Sequence, residues 1–226
     1  MIDPAILMTA LQHGDSFFPC GAVSFSWGLE TLCSSGRVTA DKDVESFVRG
    51  QLSGRWKDCD RAALLAAHRA AEDLARVAVI DRLLDAQTLS AEMRDGSRRT
   101  GAALLAVHEK LKTPRATDYR QTVINGGAPG HLPVVQGMLW RALDIPEQAS
   151  MALSAHGLCI ALLGAALRLG VVGHVDAQRI LSRARRDVVT ILEEDPPGEE
   201  AMHSFAPEAE IAMMRHENEH VRLFAN

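Results

Sequence analysis

The sequence predicts an all-α chain, a single-domain multi-helix bundle with an apolar central helix and an extended C-terminal tail. Three observations predict it. Apolar types make up 47% of the 226 residues and aromatics only 4%, and the alanine- and leucine-rich remainder favours helices over the aromatic, β-branched surfaces of sheets. Pro4, Pro19, Pro114, Pro129, Pro133, Pro146, Pro196, Pro197 and Pro207 fall at or between apparent helix ends, as expected when an interior proline costs a helix on the order of 3 kcal/mol. Between the prolines, apolar residues recur at helical spacing. A chain of this length buries a substantial core as one domain, without disulfide or metal staples.

Taken in order, the stretch from Gly14 to Glu30 is glycine-rich and reads as a loop capped by Asp15 or Ser16 that leads into a helix. It lacks the lysine of a phosphate-binding P-loop and the GxGxxG spacing. Ser24 stands where a nucleophile elbow needs glycine, so nucleotide binding and hydrolase chemistry are unsupported. Val44, Phe47, Val48, Gln51 and Leu52 form one helical stripe, and Val79, Ile80, Leu83 and Leu84 a second. Met93, Gly101, Leu104, Leu105, His108 and Leu111 mark a third helix, on which Gly96 and Gly101 allow a neighbour to approach closely. Asn125 to Gly130 is a loop, followed by a helix from about Val134 to Leu143. After Pro146 the chain is apolar nearly all round from Glu147 to Leu169, which marks the central helix. An amphipathic helix over roughly Asp176 to Glu193 precedes the acidic, turn-rich Glu194 to Glu200. The expected division is therefore 1–195, the helical domain, and 196–226, a linker and partner-binding tail.

A formal charge of -5 and a pI near 6.0 exclude nucleic acid as the main partner, because counterion release needs a basic face. Cys20, Cys33, Cys59 and Cys159 are scattered, with no CxxC pair, which fits reduced cytoplasmic thiols rather than a disulfide framework or a thiolate zinc site. Met1 to Pro4 contains no basic stretch leading into an apolar core, so no secretory signal is expected. The longest apolar run, Gly157 to Leu167, is about half of the roughly 20 residues a membrane span requires. It reads as a buried helix.

Three further groups invite a functional reading. His216-Glu217-Asn218-Glu219-His220 matches the HExxH pattern of zinc metalloproteases, with both histidines on one helical face. Little sequence follows to supply a third ligand or a shaped cavity, so a solvated helical end is the expectation, with His216 and His220 as weak metal candidates. Arg94, Ser97, Arg98 and Gly101 share one face of the third helix, either as a solvated basic face or as an interface in which arginine forks grip carboxylates. Arg222, Leu223 and Phe224 leave two large apolar side chains at a terminus, to be covered by a partner or by the chain's own core.

Gly14-Asp15-Ser16, Pro19, Gly21, Ser24, Ser26 and Gly28-Leu29-Glu30, followed by the Gly36-Arg37-Val38 turn, resemble the opening motif GDSxxPxGGFSHSxGLE of the UreF family of urease accessory proteins. Arg94-xx-Ser97-xxx-Gly101, His131-Leu132-Pro133-xxx-Gly137, and the closing Ala206-Pro207, His216-Glu217 and Arg222-Leu223-Phe224 resemble the family in the same order, so the likeness spans nearly the whole chain. Ala22, Val23 and Phe25 stand where the family pattern usually has glycine, phenylalanine and histidine.

The resemblance implies an all-α, dimerising scaffold without catalytic residues or a resident cofactor. Such a protein binds the accessory protein UreD (UreH) and recruits or regulates the GTPase UreG, while nickel passes as cargo to the urease apoprotein. It places His216, Glu217, Arg222, Leu223 and Phe224 in a tail that docks on UreD, and Ser26, Trp27, Gly28, Leu29 and Glu30 in a surface facing UreG. Arg94, Ser97, Arg98 and Gly101 join these as candidate partner contacts. The alternatives are a nickel-binding carrier and an HExxH hydrolase.

Overall fold

A proline at the first helical position, preceded by an aspartate cap, starts α1 (Pro4–Gly14) in the computed structural model, which describes residues 3–19, 25–217 and 223–224. Asp3 Oδ1 accepts the Ala5 amide at 2.8 Å, satisfying one of the orphan donors of the first turn. There follow α2 (Leu29–Ser34), α3 (Asp41–Gln51), a π-helix (Leu52–Asp60), α4 (Arg61–Arg69), α5 (Leu74–Gln87), α6 (Ala91–Lys110) and α7 (Ala116–Ile124). The chain continues through α8 (Leu132–Ala142), α9 (Glu147–Arg168), α10 (His174–Leu192), a 3-10 turn (Glu199–Ala201) and α11 (Pro207–His216), with no strand among the described residues. The expected helices are present, and α1, α4, α7 and α11 lie outside the stripes read from the sequence.

Two apolar clusters form the core. One gathers α2, α3, α9, α10 and α11 around Leu29, Val48, Trp56, Leu162 and Met213. The other gathers α4 to α8 around Leu64's neighbours Ala63 and Ala67, with Leu105, Tyr119, Val135 and Leu139. Between α4 and α8 the backbones nearly touch, because a Cβ at Gly137 would lie 2.1 Å from the Leu64 carbonyl oxygen. Only glycine permits that approach. The central helix α9 has the length and mean hydropathy (1.7 over its most apolar window) of a membrane span, but 56% of that window is buried inside the protein.

The second stripe differs from its sequence reading. The inward face of α5 is Val77, Ile80, Asp81 and Leu84, whereas Val79 is exposed and Leu83 only half-buried. The reason is Asp81: its carboxylate sits fully buried and accepts the Tyr119 hydroxyl (2.7 Å) and the amides of Gly130 (2.6 Å) and His131 (2.9 Å). A charge on the inward face hides the helix's true phase. Burial pushes this carboxyl upward against the opposing pull of its three donors.

Arg61, fully buried, donates to the carbonyls of Ile191 (2.6 Å) and Glu194 (3.0 Å) and so caps the C-terminus of α10. Beyond residue 195 the chain returns to the body. The amides of His203 and Phe205 donate to the π-helix carbonyls of Asp58 (3.3 Å) and Gly54 (2.6 Å), and α11 buries Ala209, Ala212 and Met213 in the first cluster. The described part of 196–226 is therefore packed rather than free.

Candidate partner-docking site

The opening motif and the closing helix form one joint. Trp27 (φ 56°) and Gly28 (φ 86°) turn the chain through the left-handed region to start α2. A Cβ at Gly28 would meet the Ala209 carbonyl oxygen at 2.8 Å and the Ala212 Cβ at 3.1 Å, so α11 lies directly on this turn. The Glu30 amide donates to Ser26 Oγ at 3.4 Å, as at a helix N-terminus. Ser26, Leu29 and Glu30 are all buried.

Glu30 then grips the far end of the chain. Its Oε1 accepts the Leu223 amide at 2.6 Å and its Oε2 the Phe224 amide at 3.1 Å. His216, wholly inaccessible, sets Nε2 3.2 Å from Glu30 Oε2 and Nδ1 3.1 Å from both oxygens of Glu92. Each ring nitrogen faces a carboxylate, so the doubly protonated imidazolium satisfies both glutamates and the neutral ring satisfies one. The Phe224 ring is buried, with the Arg168 guanidinium 4.2 Å from its centroid. Leu223, one residue earlier, is 63% exposed. The chain end is thus held through its backbone, with one side chain inward and one outward.

This corrects the reading of His216 as part of a solvated helical end: it is a buried strut between α2 and α6. Glu217 lies on the exposed side, while His220 and Arg222 fall outside the described residues. Among the described residues, no group of three or more histidine, cysteine or acidic side chains is placed to hold a metal. Glu92 and Arg168 were missed by sequence reasoning. Their separation from His216 and Phe224 along the chain leaves no local signal.

On the α6 face Ser97 and Gly101 are buried against the chain's own turn rather than solvated, while Arg94 and Arg98 are part-exposed. A Cβ at Gly101 would lie 2.0 Å from the Gly130 carbonyl oxygen, and Ser97 Oγ accepts the Leu132 amide at 3.2 Å. Arg98 pairs with Asp85, which also accepts from His131 Nε2 at 2.8 Å. Burial works to raise the Asp85 carboxyl, but these two partners outweigh it and hold it below its ordinary value. Arg94 donates to the carbonyls of Thr88 (2.6 Å) and Leu89 (2.9 Å). The face clamps the turn at 130–132. Phe25, where the family pattern usually has histidine, lies buried against Gly96 with Arg99 stacked 5.2 Å from its ring centroid. Ala22 and Val23 lie outside the described residues.

Several large apolar side chains remain outward as well. Along α1, Leu7, Met8 (66% exposed) and Leu11 form an uncovered stripe, followed by Phe17 at 91% exposure. Ile211 and Met214 stand exposed on the outer side of α11, in the same C-terminal region as Leu223. Monomers seldom leave such stripes open without a partner.

Comparison with known proteins agrees with the motifs. The UreF family profile matches residues 38–185. The urease accessory protein UreF of Trichodesmium erythraeum (strain IMS101) is 33% identical over 228 residues, covering 97% of this chain and 96% of that protein. Urease accessory protein UreF 1 of Brucella melitensis biotype 1 is 34% identical, covering 97% and 92% respectively. The UreF of Yersinia enterocolitica serotype O:8 is 30% identical, covering 97% and 98%.

Proposed function

The chain belongs to the UreF family of urease accessory proteins, and from that premise we propose that it is a non-catalytic, cytoplasmic scaffold for nickel insertion into urease. It binds UreD (UreH) through its C-terminal region, recruits or regulates the GTPase UreG, and works as a homodimer while nickel passes to the urease apoprotein as cargo. The observation that carries this reading is the grip of Glu30 on the chain end. A frayed terminus would pay an ordering penalty on docking, whereas this one already presents Leu223 outward.

Leu223, Ile211 and Met214 are the proposed UreD contacts. The buried Glu30, His216 and Phe224 hold that surface in place rather than touching the partner. Within the turn from Ser26 to Glu30, which packs beneath α11, only Trp27 is partly exposed, and it is the proposed UreG-facing residue, the buried members of the turn relaying occupation of the tail to it. Leu7, Met8 and Leu11 on α1 are the proposed dimer contacts.

Co-purification from cells expressing the urease maturation proteins tests the scaffold. Leu223→Asp should abolish recovery of UreD while leaving helical circular dichroism unchanged, because the side chain is exposed. Undiminished recovery would remove the tail from the interface. Met8→Arg should halve the mass seen by sedimentation, and an unaltered mass would take α1 out of the dimer contact.

A further inference from the structure

All three tryptophans of the chain, Trp27, Trp56 and Trp140, line one cavity of about 520 Å³ beneath the loop that runs from Gly14 to Pro19. Phe18, Leu153 and Leu158 extend its apolar wall. The volume lies in the range that takes a small organic molecule. The indoles offer this space carbon surface only. Trp27 Nε1 and Trp140 Nε1 are sealed in the surrounding packing, and Trp56 Nε1 donates to Ser154 Oγ at 3.2 Å. One buried polar group does reach the cavity. Gln51 lines it, is only 3% exposed, and among the described residues its carboxamide has no hydrogen-bond partner. Unlike those two indole nitrogens, the amide nitrogen and oxygen of Gln51 both retain accessible surface. With so little of the residue open, that surface belongs to the cavity it lines. A buried amide left unmade costs stability, which singles out this side chain.

The backbone that carries Gln51 is unusual in its own right. Gln51 is the last residue of α3, and the chain runs on from it into the π-helix Leu52–Asp60. That register is rare and recurs at functional sites. Its i→i+5 hydrogen bonds widen each turn, so residues four and five apart share a face. Gln51, Trp56 and Asp60 follow that spacing and all line the cavity. The opposite duty of the π-helix is structural, because its carbonyls at Gly54 and Asp58 receive the amides of Phe205 and His203.

We infer that this cavity binds a small neutral aromatic molecule with an amide or lactam edge, which pairs with the Gln51 carboxamide while its ring lies against the apolar wall. A carboxamide carries one acceptor oxygen beside a donor nitrogen. Its complement is a group that presents N–H beside C=O, so that the ligand N–H donates to Gln51 Oε1 and the ligand carbonyl accepts from Gln51 Nε2. The charges of the lining select against an ion. Arg55 and Asp60 neutralise each other at 3.1 Å. Asp15 lies at the exposed rim, where it accepts the Phe17 amide at 2.8 Å. Burial lowers the pKa of His13, which keeps that ring neutral. An ion would therefore leave water for an apolar site with no free opposite charge inside it. The wall, rich in aromatic carbon, favours a flat ring over a flexible chain, which would lose more rotamer freedom on binding.

Isothermal titration calorimetry of the full-length protein with 2-quinolone, a neutral bicyclic lactam, tests this. Binding should saturate, and quinoline, the same ring system without the lactam edge, should bind about tenfold more weakly, the scale of a neutral amide pair. Gln51→Leu should weaken 2-quinolone about tenfold and leave quinoline unchanged. The same variant should unfold at an equal or higher urea concentration, because it removes a buried amide that has no partner in the free protein. Gly157→Leu addresses the place of binding. Gly157 lines the cavity and an added Cβ there meets nothing within 4 Å, so the leucine improves helix propensity while it fills the space. That variant should stay folded and lose both ligands. No saturable heat, equal affinity for the two ring systems, equal weakening of both by Gln51→Leu, a lowered urea midpoint in that variant, or undiminished binding by Gly157→Leu would each overturn the assignment.

Discussion

At the scale of single residues, glycine is required where backbones touch and dispensable where they do not. Gly137 and Gly101 would each place a Cβ about 2 Å from a backbone carbonyl oxygen, a clash that no side-chain rotation relieves. Gly137→Ala is therefore expected to destabilise the fold by about 3 kcal/mol or more, the upper range for overpacking, measured by urea unfolding. Gly164, in the middle of α9, has nothing within 4 Å of an added Cβ, and Gly164→Ala should stabilise by roughly 0.5–1 kcal/mol on helix propensity alone. Glycine count in the sequence does not separate these cases. Neither does it separate Leu223 from Phe224, adjacent apolar residues of which only the second enters the core, because Glu30 fixes the backbone that carries both.

At the scale of elements, α11 and the chain end belong to the same structural unit as α2. Four contacts join them: the Gly28 turn under Ala209, the His216 strut, the Glu30 grip and the buried Phe224. Removing the carboxylate charge at Glu30 should release the end first. Glu30→Ala is expected to speed hydrogen exchange of the Phe224 amide severalfold or more while the amides of α4 and α8 keep their protection. Equal loss of protection everywhere would mean that Glu30 supports the whole fold instead. Phe224→Ala should remove about 2–3 kcal/mol of burial, again felt first at the end. The HExxH pattern illustrates the gap between spacing and environment: two histidines at i and i+4 predict a shared face, but the partners that define His216 come from α2 and α6.

For the molecule as a whole, buried neutral histidines tie stability to pH. His108, fully buried, has its pKa pulled from 6.5 to about 4 by burial and by its stacked neighbour His13, and His13 and His68 are lowered as well. The unfolded chain therefore binds more protons than the folded one at mildly acidic pH. The stabilisation is complete above about pH 6.5 and is lost as pH falls through the depressed pKa values, on the order of 3 kcal/mol for His108 alone. Urea midpoints should fall steeply between about pH 6.5 and 4. His108→Asn should be less stable at neutral pH but flatter across that window; an equally steep profile would mean that other groups drive the loss.

The sequence by itself determined the helical class, the punctuation by proline, the central helix and the family, since composition, period and motif are local properties of the chain. It also singled out N-terminal and C-terminal motifs, whose places in the fold it left open. Only the tertiary structure decided which of them face inward: that His216 is a strut, that Ser97 and Gly101 clamp a turn, that Asp81 sits in a core face, and that three tryptophans far apart along the chain share one cavity. These facts depend on which helices lie side by side, and a side chain's burial and hydrogen-bond partners are set by such non-local neighbours, which neither periodicity nor spacing encodes.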